Sequence, residues 1–467
     1  MNTSLTEGHV GRLLVRFSLP FLLSALIQTA YSSVDIFFLG RLAPPESLAG
    51  ASNGANMILT VTTLFMGLIT GGMILLGQFY GAKDEKGTAK TTGNVVLLQA
   101  AFILLSVTIT LVFGRLFIRL MNVPTRLEGA ALGADEEAWN YMRICAVGLI
   151  FNMGYSIVSS ILRALGNSKA PLLFVTISCL TNVVLDYIFI GPFKMGASGA
   201  AIATVIAQAL SLTLSLIYLR IVKLPYKFTV HDIKPDWSTI GTIARLGIPI
   251  SLQTVLNFLS FLVIGRIING MGLFAAAANG IVNNVVNFYM IIPMAIGSAL
   301  SAISAQNIGA GKAERALQSA KLGILFSLVI AVPCTLFASF NPTAVVSLLS
   351  SDADVIKASA EFLVPFSWDC LFVSFVFVIN GLFNGCGLTT FVAIHETVAA
   401  FAVRIPLSWL MANIHKIPIF NVEEAGLFHI GIGTPAATLA SLIMCIIYYR
   451  VKLSKGKLAR LQFAGIS

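Results

Sequence analysis

Four residues have the type and spacing to do chemistry inside a membrane: Asp35, Asn182, Asp186 and Thr204. Asp35 stands in an apolar stretch, Leu13 to Arg41, that is long enough to cross a bilayer. A carboxylate at such depth is costly and persists where it faces a polar cavity with partners. Gln28, Tyr31 and Ser32 precede Asp35 by seven, four and three residues and share its helical face. The plainer alternative is an acid that reaches water at a helix end, since Arg41 is six residues or about 9 Å away. Asn182 and Asp186 are one turn apart, and Asp186 lies six residues before Pro192, a depth matching that of Asp35. Thr204 follows Gly196 by eight residues with Ala200 one turn before it, which brings a hydroxyl to the same level. By itself Thr204 would bond back to its own helix. Oxygen donors of this kind suit a hard cation, and two carboxylates in a low dielectric suit a shared proton.

The elements that must carry these residues follow from composition. Of 467 residues 57% are hydrophobic and 11% charged, with mean hydropathy +0.88, against about 25% charged in soluble domains. The chain reads as an all-α polytopic membrane protein. Apolar windows fall at roughly 13–41, 47–80, 93–121, 139–163, 170–191, 197–222, 243–268, 273–306, 318–340, 358–384, 391–414 and 430–450, twelve spans of bilayer length. Pro20, Pro171, Pro249, Pro293, Pro333, Pro365 and Pro406 mark kinks or first turns. The six cysteines fall in or beside apolar segments without a CxxC pair and read as small core residues. The first apolar run is too long for a cleavable signal and contains Asp35, so it is expected to remain as a span.

The net charge of +10 sets topology here. It does not indicate nucleic acid, because no basic domain forms. With both termini cytoplasmic, 20 Lys and Arg lie inside, 9 outside and Arg404 within a helix, a bias that fixes orientation. The outer loops carry acids instead, among them Glu128, Asp135, Glu136, Glu137, Asp352, Asp354, Glu361, Glu423 and Glu424.

The second span ends Gly77-Gln78-Phe79-Tyr80-Gly81-Ala82 and the eighth ends Ala305-Gln306-Asn307-Ile308-Gly309-Ala310. Pro20 answers Pro249, and the exit Leu162 to Ser168 resembles Leu382 to Thr389. The period, near 225 residues, makes a parallel duplication of six helices. The expected organisation is an N-terminal six-helix lobe over 1–222, a cytoplasmic linker over 223–242, and a C-terminal six-helix lobe with a short basic tail over 243–467.

Over essentially its whole length the chain resembles the multidrug and toxic compound extrusion (MATE) transporters. Twelve spans, the six-plus-six repeat, Pro20 ahead of Ser33-Val34-Asp35, and the Gly-Gln-x-x-Gly-Ala turn at 77–82 carry the resemblance. It implies a multi-pass protein of the inner (cytoplasmic) membrane, expected as a monomer, that exports amphipathic, often cationic compounds in exchange for H⁺ or Na⁺. The spacing of Asn182, Asp186, Ala200 and Thr204 is similar to the N-lobe cation site of prokaryotic members, in which the acid matching Asp35 faces the acid on helix five. The seventh span lacks the acid that another branch uses for its cation, which favours a branch resembling DNA-damage-inducible and archaeal members.

Cavity candidates are Gln28, Tyr31, Ser32, Ser159, Gln253, Asn257, Asn283, Asn287 and Asn380. Asn283, Asn284 and Asn287 could line a drug path or bond between helices. Glu396 and Arg404, eight residues apart, are too far apart to pair directly and are each expected to find a partner on another helix, Arg404 in a structural role. Asp369 could be merely hydrated if its helix begins near Pro365. No Gly-x-x-x-x-Gly-Lys-Ser/Thr supports ATP-driven transport, and His395-Glu396 lacks the second His of a zinc motif, with Ala399 in its place. No cofactor and no enzyme activity are therefore expected. A lipid-linked oligosaccharide flippase is the alternative, although its pyrophosphate cargo would want several Arg or Lys in the cavity. A passive channel is disfavoured by the deep acids.

Overall fold

The computed structural model describes residues 4–121, 123, 125, 132–413 and 426–453, and of Ser32 only its backbone. Glu128, Glu423, Glu424 and the basic tail from residue 454 on lie outside the described residues. The described chain is all helix with no strand and holds twelve helices of membrane-spanning length: α1 (Val10–Leu42), α2 (Pro45–Gly81), α3 (Glu85–Leu120), α4 (Ala134–Ala164), α5 (Lys169–Ile190), α6 (Gly196–Val222), α7 (Trp237–Asn269), α8 (Leu273–Gly309), α9 (Ala313–Phe340), α10 (Ala353–Gly385), α11 (Thr389–Ala412) and α12 (Leu427–Leu453). At 1.5 Å per residue the longest helices reach about 55 Å, well past the ~30 Å hydrocarbon layer. Their ends therefore stand in the interfacial regions. A short helix, Pro342–Val346, joins α9 to α10.

Aspartate side chains cap the starts of α3, α7 and α10. Asp84 accepts from the Gly87 amide at 2.9 Å to open α3, and Asp352 accepts from Asp354 and Val355 to open α10. Asp236 opens α7, accepting from the Thr239 amide and hydroxyl at 2.8 Å each and pairing with Lys90 at 2.9 Å. These contacts hold its carboxyl down at about 2, from an ordinary 3.8, chiefly through Lys90. A depressed acid contributes stability that is present above its unfolded value and is lost as pH falls through the folded one. Asp236→Ala is thus expected to cost about 1 kcal/mol at neutral pH, with the gap to wild type closing between pH 3.8 and about 2. Thermal unfolding across that range measures it.

The repeat is visible in the backbone. After α4, the Gly166 amide donates to Arg163 O and Asn167 to Leu162 O, with Gly166 at φ 85°. After α10, Gly387 donates to Asn384 O and Leu388 to Phe383 O, with Gly387 at φ 82°. Both are left-handed C-terminal caps of one type. Adding a Cβ at either position forces an L-residue into the left-handed region, so Gly387→Ala is expected to destabilise by about 1 kcal/mol, read as a lowered thermal midpoint in detergent.

Small residues draw the helices together. A Cβ on Gly50 or Gly54 would meet α4 at Glu137, Ala134 and Tyr141, and one on Gly381 or Gly385 would meet the α8 backbone at Gly297 and Ser301. The pairings α2 with α4 and α8 with α10 are therefore equivalent across the repeat.

Packing divides the chain into two compact units, one over Leu19–Ser251 and the other over Thr6–Ser18 with the chain from Leu252 on. This differs from a split between six-helix halves in the first stretches of α1 and α7. In the second unit Lys312 Nζ donates to Thr6 O and Arg315 to Glu7 O. In the first, Gly71 lies against Gly247 closely enough that a Cβ would come to 2.7 Å from its amide. The linker is tied to α3 in the same unit by Tyr226 to Thr92 at 2.6 Å and by the Asp236 amide to Asn94 at 2.8 Å.

Of the marked prolines, Pro20, Pro249, Pro293, Pro333 and Pro365 lie inside helices. Pro171 stands in the first turn of α5, and Pro406 follows a widened segment of α11 at Ala399–Arg404 in which hydrogen bonds span five residues.

Candidate functional site

In the first unit, α1, α5 and α6 bring the anticipated residues to one end of their helices: Asp35 seven residues from the end of α1, Asp186 four from the end of α5, Thr204 eight into α6. The α5 and α6 register is set by hydroxyls bridging to backbone, Ser178 Oγ to Ala207 O at 2.7 Å and Ser211 Oγ to Phe174 O at 3.3 Å. Ser178 is one turn before Asn182 and Ala207 nearly one turn after Thr204, so this clamp holds the polar residues of both helices level.

Thr204 Oγ1 donates to Asp35 Oδ2 at 3.3 Å and not to its own helix. Tyr31 donates to the Thr204 carbonyl at 3.4 Å. Asp186 and Asn182 are fully buried and stand within electrostatic range of Asp35. Asp35 Oδ1, both oxygens of Asp186 and both amide atoms of Asn182 are buried without a hydrogen-bond partner. Five orphan polar atoms from three side chains are costly to bury, and a proton shared by the acids or a cation among their oxygens would relieve that cost. Ala200, also fully buried, packs with Leu39, Ala51, Tyr141 and Cys145 and keeps α6 close by its small size.

Sequence reasoning missed Tyr141 and Cys145. They lie one turn apart on α4, both buried, within electrostatic range of Asp35. Their i, i+4 spacing was the available signal, hidden because an aromatic and a thiol on one helix face usually mean packing.

The remaining cavity candidates scatter. Gln28 is exposed, Tyr31 joins the acid site, and the side chain of Ser32 lies outside the described residues. Ser159 is buried on α4 near Tyr155, away from the acids. Gln253 is half-buried and Asn287 exposed. Asn283 bonds to Asn279 at 3.2 Å and Asn284 to Gly280 O at 2.9 Å, each back along α8. They do not bond between helices, because their own preceding turn offers the nearer acceptor.

In the second unit Asn257 and Asn380 flank Glu396, donating to its Oε2 at 3.3 Å and its Oε1 at 2.8 Å. Arg404 Nη1 donates to Asn257 Oδ1 at 3.4 Å and its guanidinium lies 4.5 Å from the centre of the Phe261 ring. Glu396 and Arg404 thus meet through α7, as their spacing required. Asp369 is not hydrated: α10 begins at Ala353, twelve residues before Pro365, and leaves Asp369 2% exposed. Among the described residues no three His, Cys, Asp or Glu gather as a metal site, and the six cysteines are free.

The MatE family model matches residues 20–188 and 249–410. The chain is 28% identical over 450 residues to the probable multidrug resistance protein YpnP of Bacillus subtilis, covering 95% of this chain and 96% of that one. It is also 28% identical over 365 residues to an FAD transporter of Shewanella oneidensis, covering 76% and 77%. Its fold is similar to that of a multidrug resistance MATE family transporter of the MOP superfamily in an outward-facing conformation, with TM-score 0.86, 19% identity and 99% of each chain covered. A transporter of small molecules and not an enzyme, this twelve-span membrane protein belongs to the MATE family of multidrug efflux transporters.

Proposed function

We propose that the chain is a secondary antiporter that exports amphipathic or cationic compounds in exchange for H⁺ or Na⁺ taken up at Asp35 and Asp186, with Asn182, Thr204 and the close-packed Ala200 shaping the site. The reading rests on the five orphan polar atoms where α1 and α5 meet. Empty, the pair is negative and attracts a cationic cargo. Loaded with one or two positive charges it no longer does, so ion uptake and cargo retention exclude each other. That difference in affinity is the coupling. If exchange moves net charge, the membrane potential adds ~2.3 kcal/mol per charge per 100 mV. In this reading the protein acts as a monomer in the inner membrane with both termini cytoplasmic, and the inside excess of Lys and Arg supports that orientation.

The test is efflux of a fluorescent organic cation from proteoliposomes with proton and sodium gradients imposed separately. One gradient is expected to drive efflux and the other not, and efflux indifferent to both would overturn the reading. A second reading, favoured by the likeness to an FAD transporter at the same 28% identity, is a flavin dinucleotide or similar anion as cargo. The buried acids count against it, as they count against a pyrophosphate-carrying flippase, and flavin uptake by the same vesicles decides it.

A further inference from the structure

The antiport proposed at Asp35 and Asp186 uses none of the ionisable groups buried in the second unit. Those groups form one connected set: Asp369 on α10, His395, Glu396 and Arg404 on α11, bridged by Asn257 of α7 and Asn380 of α10. The direction of their hydrogen bonds can be read from the amides. Each asparagine gives its NH₂ to Glu396 and therefore turns its carbonyl away. The Asn257 carbonyl accepts from Arg404. The Asn380 carbonyl lies 3.0 Å from His395 Nε2, which requires the hydrogen to be on Nε2. The other ring nitrogen, Nδ1, 2.8 Å from Ser441 Oγ on α12, then holds the lone pair toward which the serine hydroxyl points. The chain Ser441, His395, Asn380, Glu396 thus runs in one direction and ends on the Glu396 carboxyl oxygens.

Counted formally, the set holds two carboxyl groups, Asp369 and Glu396, against one guanidinium, Arg404, so that one further proton would make it neutral in a low-dielectric bundle. One proton completes the set. The lone pair on Nδ1 can take it without displacing any heavy atom, since an imidazolium donates from both nitrogens, to Ser441 Oγ and to the Asn380 carbonyl. The groups facing the ring are Glu396 from its own helix, Asn380 from α10, and Ser441 and the Cys445 thiol, 3.5 Å from Nε2, from α12. Asp369 and Arg404 lie within electrostatic range of Glu396, and α7 contributes Asn257.

We propose that His395 and Glu396, joined through Asn380, form a second proton-carrying pair in the second unit, loaded independently of Asp35 and Asp186. On loading, an O–H bond of a hydronium ion breaks as the Nδ1–H bond forms and neutral water leaves; on release the N–H bond breaks and the proton returns to water. Its use in transport rests on the antiport reading, but the pair itself does not.

The test is nitrogen-15 NMR of histidine-labelled full chain in nanodiscs, with His395→Gln identifying the His395 signal. Above its titration His395 should show the Nε2–H form, and between about pH 5 and about pH 8 it should take up one proton. The midpoint should move by about one pH unit in Glu396→Gln, stay in place in the charge-preserving Glu396→Asp, and stay in place in Asp35→Asn. A His395 signal constant across that range, or a midpoint that ignores Glu396→Gln, overturns the proposal. A normal His395 titration in a protein whose efflux ignores both gradients would leave this pair standing and sink the antiport reading alone.

Discussion

Asp35→Asn and Asp186→Asn are each expected to slow gradient-driven efflux by about tenfold to a hundredfold while leaving the folded protein as stable as wild type or more so. The direction of the stability effect separates function from folding. Both acids are drawn into a bundle where Asp186 is fully buried and its two oxygens have no hydrogen-bond partner. Removing a charge there relieves a desolvation cost, yet it also removes one of the two carboxyl groups through which uptake of an ion changes the charge of this site. Efflux rates at matched expression, with thermal midpoints of the purified variants, check both halves. Wild-type efflux in either variant would refute the role given to that acid. Thr204→Val should have a smaller effect, because Thr204 contributes one hydrogen bond of 3.3 Å to Asp35 and no charge.

Arg404→Ala is expected to cost about 3 to 5 kcal/mol of stability, the largest effect of any single substitution considered. Arg404 is 6% exposed, stacks on Phe261 and supplies the positive charge facing Glu396 and Asp369. Without it two carboxylates are left in the bundle with no cation. Arg404→Ala combined with Glu396→Gln should recover a substantial part of the loss, since the second change removes one of the stranded charges. Thermal midpoints of the two single variants and the double variant measure the coupling. A single-variant loss below ~1 kcal/mol would mean that water reaches this cluster and that Arg404 is dispensable.

Much of the architecture and half of the chemistry were legible in the chain. The spans follow from apolar length, and the equal depth of Asp35, Asp186 and Thr204 could be counted from Arg41, Pro192 and Gly196. The duplication was written in turn residues, because a left-handed cap needs Gly166 and Gly387 whatever surrounds it. The second unit was less legible. Its polar residues could be named one by one, but Asn257 bridging Glu396 to Arg404 depends on which face of α7 turns toward α11, and periodicity in a uniformly apolar helix does not fix a face. Asn283 and Asn284 show the same limit from the other side, since the polarity that suggested a cavity lining is satisfied within α8. The boundary between units was hidden too, because close approach of Gly71 to Gly247 joins residues that the repeat assigns to different halves.

The widened turn at Ala399–Arg404 has a consequence for comparing the two halves of the chain. A turn closed over five residues accommodates one residue more than an ordinary helical turn, whereas α5, the counterpart of α11, is regular over Lys169–Ile190. The halves have therefore diverged in length as well as in side chains. An ungapped superposition of one half's sequence on the other would mispair every position of α11 beyond residue 404 by one, and the ancestral counterpart of Pro406 must be sought one place away from where simple counting puts it.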